Sequence, residues 1–300
     1  MNRVAQHPVK AFLVALSAVA VLSIMDAVMK HLVLVIGIVA VSVWRSIASL
    51  GISTAIYLPR RRAWPSRKTL RIHIARGIIV TIMAFLFFWG IGRVPLAQAI
   101  ALTFIGPLIA LLLASAFLDE KIGGRSIAGS LAAFAGVIVI VLGQAQSKLG
   151  PDALLGTAAI IGSALSYAVN IVMMRHQALA ARPLEINFFQ SLTVIALWGT
   201  AVVAAGVPEW PARHWPWVIV ASLLSTAGGL LFSWAYARAE AGYLAVTEYS
   251  GFLWASVLGW LIFRERVSLY TLAGALLIVG GCLVAARRSV SAPPEIDAAR

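Results

Sequence analysis

Long apolar runs constrain this chain more than any other feature. A helix of about 20 apolar residues, at about 1.5 Å rise per residue, is long enough to cross the hydrocarbon core of a bilayer. Apolar residues make up 61% of the chain and charged residues 12%, whereas soluble domains carry about 25% charged residues. The sequence therefore predicts an all-α membrane protein with ten transmembrane helices, at residues 11–29, 32–58, 72–92, 95–118, 126–144, 153–174, 184–206, 215–237, 242–263 and 268–286.

The basic residues predict how these helices are oriented. The formal net charge is +13, but the Lys and Arg residues lie in short loops between apolar runs, which argues against a nucleic-acid partner. Sixteen of the 24 fall in the loops of one side and six in those of the other. Because cytoplasmic loops carry the excess of positive charge, we expect both termini in the cytoplasm of a cell with a bacterial inner membrane. The loop 60–71 is expected to contact anionic lipids there.

A duplication relates the two halves of the chain. Sliding the sequence by 145 positions aligns residues 29–286 with themselves without a gap, which chance similarity of apolar segments does not explain. We therefore divide the chain into a first five-helix repeat at 1–147, a second at 148–288 and a polar C-terminal tail at 289–300. The aligned pairs include Met29 with Met174, His31 with His176, Trp89 with Trp234, Arg93 with Arg238, Gly106 with Gly251 and Glu120 with Glu265.

An odd number of spans in each repeat has a topological consequence. The second repeat must enter the membrane from the side opposite to the first, so the two repeats are expected to be inverted relative to each other. Secondary transporters of this kind bind substrate at the interface of the repeats, near the middle of the bilayer. We expect spans one, three, four, six, eight and nine to line such a cavity.

A set of ordered motifs in both halves resembles one known family. The chain is similar to the ten-helix EamA branch of the drug/metabolite transporter superfamily. Phe252 departs from the family pattern, which commonly has proline at that position. The motifs that carry the resemblance are Asp26 to Lys30, Trp44 to Ser46, Val94 to Ala99, Thr103 to Pro107, Leu118 to Lys121, Ala135 to Val137, Ala241 to Tyr243, Glu248 to Gly251, Phe263 to Arg266, and Gly274 with Gly280 and Gly281.

The resemblance implies solute transport by alternating access, with amino-acid export, and aromatic amino acids in particular, as the first hypothesis. Uptake or exchange of another metabolite, such as a nucleoside-like sulfonium compound, is the alternative. A receptor or scaffold without transport is an alternative of a different class. The sequence has no paired His, Asp and Glu set, no nucleophile motif and no metal-ligand spacing, so neither an enzyme nor a cofactor is expected. It also lacks the phosphate-binding loop of ATP-driven pumps.

Charged residues inside the spans are the first candidates for substrate binding, because a charge at the bilayer centre costs about 2.5–3.5 kcal/mol on insertion scales. Arg45 is expected to hold a carboxylate through its planar guanidinium. Glu248 is expected to bind the substrate amine or a proton. Asp26 lies four residues before Lys30, so either a surface ion pair or a binding role fits it.

Aromatic and polar side chains within the spans complete the predicted binding set. Aromatic rings can stack on an aromatic or cationic ligand, but Trp and Tyr also form belts at the membrane interfaces. Small polar residues can bind substrate or join helix to helix. The candidates are Trp89, Tyr167, Trp234, Tyr249, Trp254, Thr81, Gln98, Asn170 and Ser250.

Three residues are predicted to bend or gate the helices. Pro107 lacks an N–H group and clashes with the carbonyl four residues earlier, so we expect Gly106, Pro107 and Gly251 to act as hinge positions. Glycine spacings in spans five and ten predict either close helix packing or a homodimer face. Near the cytoplasmic side, His73 and Arg76 are expected to reach toward the interface as long polar side chains do.

Overall fold

The computed structural model describes residues 8–60, 64–106, 109, 124–145, 151–236, 238 and 247–286. Within this part of the chain the fold is all-α, as predicted. Pro107, Glu120 and the tail 289–300 lie outside the described residues. The ten helices are α1 (Pro8–Ile36), α2 (Ile38–Tyr57), α3 (Arg67–Ile91), α4 (Leu96–Thr103), α5 (Gly124–Ala145), α6 (Pro151–Ala180), α7 (Pro183–Ala205), α8 (Trp215–Tyr236), α9 (Ser250–Phe263) and α10 (Leu269–Ala286).

The first two helices meet at Gly37, and the boundary differs from the predicted one. Helix α1 continues to Ile36, and Gly37 has φ 78°, a conformation that glycine adopts at little cost. The expected start of the second span at residue 32 was therefore wrong. Arg45 lies seven residues into α2, or about 10 Å from its start, and not in the deepest part of the span.

Apolar residues cover the outside of the helix assembly. Helices α1, α2, α3, α6, α7 and α8 contain segments that are long and apolar enough to cross a membrane, and α5, α9 and α10 contain shorter apolar segments. Leu131, Val203 and Leu276 are examples of large apolar side chains that point outward and are 65%, 89% and 66% exposed. This surface suits lipid, because a soluble protein rarely exposes contiguous apolar area on this scale.

Contacts between the helices are symmetric with respect to the two halves of the chain. Helix α5 packs along α10, α2 along α7 and α4 along α9. The contact of α3 with α6 has its counterpart in the contact of α8 with α1, and that of α3 with α7 in that of α8 with α2. Exchanging each helix with the one five places along the chain thus reproduces the main contacts.

Glycines bring α5 and α10 into close contact. A Cβ atom on Gly136 would lie 2.6 Å from the carbonyl oxygen of Gly274, and one on Gly274 would lie 2.6 Å from the carbonyl oxygen of Gly136. Gly281 approaches the carbonyl of Gly129 in the same way. These positions require the absence of a side chain, so the close packing predicted from the glycine spacing is formed within one chain.

Candidate functional site

A small polar cavity lies between α2, α3, α7 and α8. Its volume is about 60 Å³, whereas pockets that hold small molecules enclose about 300–1,000 Å³. Spans two, three, seven and eight line this cavity, and of these only three and eight belong to the expected set of one, three, four, six, eight and nine. The lining residues are Ser42, Arg45, Ser46, Ser49, Val80, Thr81, Ala84, Phe85, Phe88, Asn187, Gln190, Ser191, Val194, Trp198, Ser225 and Thr226.

The two halves of the chain contribute positions 145 residues apart to this cavity. Six pairs of lining residues are separated by 145 positions, so the cavity lies where the two halves meet. Ser46 with Ser191 and Thr81 with Thr226 keep the same residue type. The other pairs are Ser42 with Asn187, Arg45 with Gln190, Ser49 with Val194, and Val80 with Ser225. Arg45 in the first half of the chain thus places a guanidinium at the cavity, whereas the equivalent residue of the second half, Gln190, places a neutral amide there.

Arg45 brings a positive charge to the cavity wall and has no hydrogen-bonded counterion among the described residues. Its guanidinium carbon lies 5.7 Å from the ring centre of Phe88. Its Nε atom is buried and makes no hydrogen bond to any described residue, and the same holds for the hydroxyl of Ser49. Asp26, partly buried on α1, is the acidic residue that interacts electrostatically with Arg45. Unsatisfied buried donors of this kind fit a site that a ligand or water completes.

Lys30 makes an ion pair that the sequence did not predict. The expected pairing of Asp26 with Lys30 is absent from the ion pairs of the described residues, because Lys30 instead binds Glu265 of the α9–α10 loop. The Lys30 ammonium also donates to the carbonyl of Val94 at 2.6 Å, and Glu265 accepts from the backbone N–H of Leu96 at 2.8 Å. We call this region, defined by Lys30, Val94 and Glu265, the outer end.

Glu248 lies in a second polar cluster, between α4, α6 and α9. The Tyr167 hydroxyl donates to the Glu248 carboxylate at 3.2 Å. Tyr249 makes an edge-to-face contact with Phe104, with ring centres 5.2 Å apart. A Cβ on Gly106 would lie 2.9 Å from the Tyr167 ring, so Gly106 permits α4 to approach α6 there. The structure thus brings together four of the predicted residues, away from the wall that Arg45 occupies.

The tryptophans at the ends of α3 and α8 each carry an arginine on one face. The Arg93 guanidinium lies 3.5 Å from the ring centre of Trp89, and that of Arg238 lies 4.1 Å from the ring centre of Trp234. Each arginine also donates to the carbonyl of its tryptophan at 3.0 Å. Both tryptophans have this geometry, so in each an arginine covers one of the ring faces that were expected to stack on a ligand.

The remaining predicted residues lie at separate places. Gln98 is buried on α4 and lines a second cavity of about 300 Å³ near Ser256 and Glu265. The Ser250 hydroxyl donates to the carbonyl of Thr247 at 2.6 Å, within its own turn. Three further positions are Gly251, which is buried, Trp254, which is 39% exposed, and Asn170, which accepts from Arg76.

A buried polar chain connects α3, α6 and α7, and sequence reasoning missed it. His73 and Arg76 are 1% and 8% exposed, so the expectation that they reach toward the interface was wrong. Gln177, at the C-terminal end of α6, contacts both of them through its side-chain amide. Glu185, near the start of α7, lies 3.2 Å from Nε2 of His73. We call this region, defined by His73, Gln177 and Glu185, the inner end.

The described residues contain no group of three or more His, Cys, Asp or Glu side chains that could hold a metal ion.

An all-helical, lipid-facing surface around a polar internal cavity defines the class of multi-pass membrane transport proteins. Comparison with known proteins agrees with this class. The chain belongs to the EamA-like transporter family, whose sequence model matches it twice, at residues 9–142 and 154–287. It is therefore a membrane transporter of the drug/metabolite superfamily.

Curated relatives differ in the solute that they carry. The chain is 26% identical over 281 residues to the pseudopaline exporter of Pseudomonas aeruginosa, which covers 92% of this chain and 95% of that one. It is 26% identical to a riboflavin transporter of Rhizobium johnstonii, over 73% of this chain and 70% of that one. A solved crystal structure with 21% identity superposes with a TM-score of 0.60 over 93% of this chain and 99% of that one, which shows the shared fold.

Proposed function

We propose that this protein is a secondary transporter in which two inverted five-helix repeats open a central cavity alternately to the two sides of the membrane. The double family match and the symmetric helix contacts support the repeats. The six equivalent pairs around the cavity support its position at their interface. Binding sites of inverted-repeat transporters lie at such interfaces.

The cavity wall supports a small substrate that carries a carboxylate, and amino acids are the first class to test. Arg45 offers a guanidinium whose Nε lacks a hydrogen-bond partner among the described residues, and guanidinium groups bind carboxylates with two parallel hydrogen bonds. Asp26 can balance the charge of Arg45 before the substrate arrives. Hydroxyl and amide groups line the remainder of the wall, while Phe85, Phe88 and Trp198 form an aromatic side.

An aromatic amino acid would therefore stack on a different set of rings from the one that the sequence suggested. Trp89 and Trp234 hold arginines on their ring faces, whereas Phe85 and Trp198 lie at the cavity, with ring centres 5.9 Å apart. Glu248, hydrogen-bonded to Tyr167, is kept as the second charged position, for the substrate amine or a proton. These assignments predict a preference for zwitterions with a flat side chain.

Export is the favoured direction, because a relative matched over 92% of this chain and 95% of its own is named an exporter. The relatives named riboflavin transporters support the second candidate, transport of another planar metabolite in either direction. Both candidates need a wider cavity than about 60 Å³. The Lys30–Glu265 ion pair joins helices at the outer end and the His73 contacts join helices at the inner end, and these contacts support an occluded conformation.

Counterflow in proteoliposomes tests the proposed function. Vesicles loaded with an unlabelled amino acid should accumulate the same amino acid in its labelled form. Using riboflavin in place of the amino acid tests the second candidate. The Arg45→Gln variant, which copies the Gln190 side of the cavity, should weaken apparent affinity for carboxylates by about tenfold or more, as loss of a charged hydrogen bond does. Amide analogues of the same solutes should be affected less.

Arg60→Gln is the matched control, because Arg60 is an exposed arginine whose hydrogen bond within the described residues is to the carbonyl of Ile56, in its own turn. It should transport like the wild type. No counterflow for any member of the panel would contradict transport of these solutes and favour the receptor or scaffold alternative. Equal affinity of Arg45→Gln and wild type for carboxylates would remove Arg45 from the site.

A further inference from the structure

The inner end is held closed by one continuous set of side-chain hydrogen bonds. Arg76 Nε donates to the Asn170 amide oxygen at 2.8 Å, and Arg76 Nη1 donates to the Gln177 amide oxygen. Gln177 Nε2 lies 2.6 Å from Nδ1 of His73. His73 Nε2 lies 3.2 Å from the Glu185 carboxylate. These bonds tie α3 to α6 and α7 at one end of the molecule.

Through Gln177, Arg76 determines which ring nitrogen of neutral His73 carries the hydrogen. An arginine side chain can only donate, so the Gln177 atom that faces it must be the amide oxygen. The Gln177 NH₂ group then faces His73 and donates to Nδ1. Nδ1 therefore carries no proton, and neutral His73 must hold its hydrogen on Nε2, where it donates to Glu185.

A second proton on His73 is incompatible with this closed arrangement. Protonation at Nδ1 would place an N–H group against the Gln177 NH₂ group, at the 2.6 Å separation seen for the acceptor. Turning the Gln177 amide over would place NH₂ against the Arg76 guanidinium instead. The His73 ring has little freedom to turn, because Phe189 stacks on it at 5.0 Å with an interplanar angle of 5°.

We propose that His73 is a proton-binding site and that its protonation releases α6 from α3 and opens the inner end. A ligand that binds one of two conformations better shifts the population toward it, and here the proton is that ligand.

The charged groups around His73 define how protons reach and leave it. On α7, the Glu185 carboxylate faces Nε2 of the ring, and on α3, the Arg76 guanidinium faces the Gln177 amide oxygen. Among the described side chains, α6 presents the neutral amides Asn170 and Gln177, and α2 adds the Tyr57 ring beside Phe189. The Glu185 side chain is 16% exposed and that of His73 is 0% exposed, so Glu185 is the group through which a proton from water arrives.

The proposed proton-binding site lies next to the cavity along helices α3 and α7. Arg76 lies one helical turn before Val80, and Glu185 lies two residues before Asn187, and both Val80 and Asn187 line the cavity. Separation of α6 from α3 would therefore release the starts of α3 and α7, which lead to the cavity wall. The site gives the proposed transport cycle a step that depends on pH.

Nitrogen NMR of the histidine rings in lipid bilayers tests the site without any transport. The chain has five histidines, and the signals missing from His73→Gln identify those of His73. We expect a neutral ring with hydrogen on Nε2 near pH 8, and the imidazolium form as the pH is lowered toward about 5, the range in which histidine titrates. A ring that stays neutral throughout, or that holds its hydrogen on Nδ1, would overturn the proposal.

Two substitutions should move this titration in opposite directions. Arg76→Gln removes a positive charge and lets Gln177 turn over, so the midpoint should rise. Glu185→Gln removes the carboxylate that accepts from the ring, so the midpoint should fall. His31→Gln is the matched control, since His31 contacts His214 and Trp217 and not the inner end, and it should leave the His73 titration unchanged.

Counterflow provides the second readout and rests on the proposed function. Lowering the pH should speed exchange by about tenfold, within the range of typical coupling between two sites. His73→Gln, which keeps a polar side chain but cannot titrate, should exchange slowly at every pH, and His31→Gln should respond like the wild type. Wild-type pH response in His73→Gln would overturn the proposal. Titration of His73 without any counterflow would sustain the proton site while contradicting transport of the tested solutes.

Discussion

Arg45 and Gln190 occupy equivalent positions in the two repeats, yet only one of them is charged. A symmetric cavity with two arginines would bind a dianion, whereas this cavity offers one guanidinium and one amide. If the proposed function holds, the single charge would select for a substrate with one carboxylate near α2. The neutral groups contributed by the second half of the chain would then be left for the other end of the solute.

The Lys30–Glu265 pair leads to a prediction about stability. Both side chains are largely buried, at 5% and 19% exposed, and an unpartnered buried charge costs about 3–5 kcal/mol. Glu265→Gln should therefore lower the free energy of unfolding by up to about that amount, while its amide oxygen keeps the bond from Leu96. Thermal unfolding in detergent measures the change.

A double-mutant cycle separates the pair from its surroundings. Lys30→Met removes the ammonium, so in the double variant with Glu265→Gln neither charge is left alone. The double variant should be more stable than the sum of the two single effects predicts, because neighbouring residues in one network are not additive. Additive losses would show that Lys30 and Glu265 do not stabilise each other.

At the scale of helices, the contact between α5 and α10 depends on glycine. Gly274→Ala would place a methyl group 2.6 Å from the Gly136 carbonyl, so the backbones must move apart. Overpacking of this kind costs about 1–3 kcal/mol, and the melting temperature should fall accordingly. Gly280→Ala is the matched control on the same helix, because a Cβ there has nothing within 4 Å. Equal stability of the two variants would contradict close packing at Gly274.

Helix number and type could be predicted from the sequence because runs of apolar residues leave few structural alternatives in a bilayer. The repeat offset likewise followed from matched Trp, Arg and Gly positions. The end of α1 could not be predicted so well, since hydropathy does not distinguish a continuous helix from two helices that meet at Gly37.

Side-chain partners were harder to predict because they depend on how distant helices pack. Lys30 has Asp26 one turn away, but its partner Glu265 lies 235 residues further along the chain. His73 and Arg76 lie near a helix end, where exposure is the usual outcome, but contacts with α6 and α7 bury them. The duplication did contain a usable signal for the cavity, since its walls are pairs of positions 145 residues apart.

At the scale of the whole molecule, the inner and outer ends must face opposite sides of the membrane. His73, Gln177 and Glu185 come from the start of α3, the end of α6 and the start of α7, whereas Lys30 lies near the end of α1 and Glu265 follows α9. The excess of Lys and Arg in the loops next to the inner end predicts that it faces the cytoplasm. A proton that opens the inner end would then report cytoplasmic pH.

Single cysteines at the two ends test this orientation. With the native Cys282 changed to alanine, Val207→Cys and Trp64→Cys each place one thiol at an exposed position, 72% and 59% exposed respectively. A membrane-impermeant maleimide added to intact cells should label Val207→Cys at once, because the α7–α8 loop faces outward. It should label Trp64→Cys only after the membrane is permeabilised. The reverse labelling would invert the orientation, place the His73 site on the outside, and make external acidification the condition that opens it.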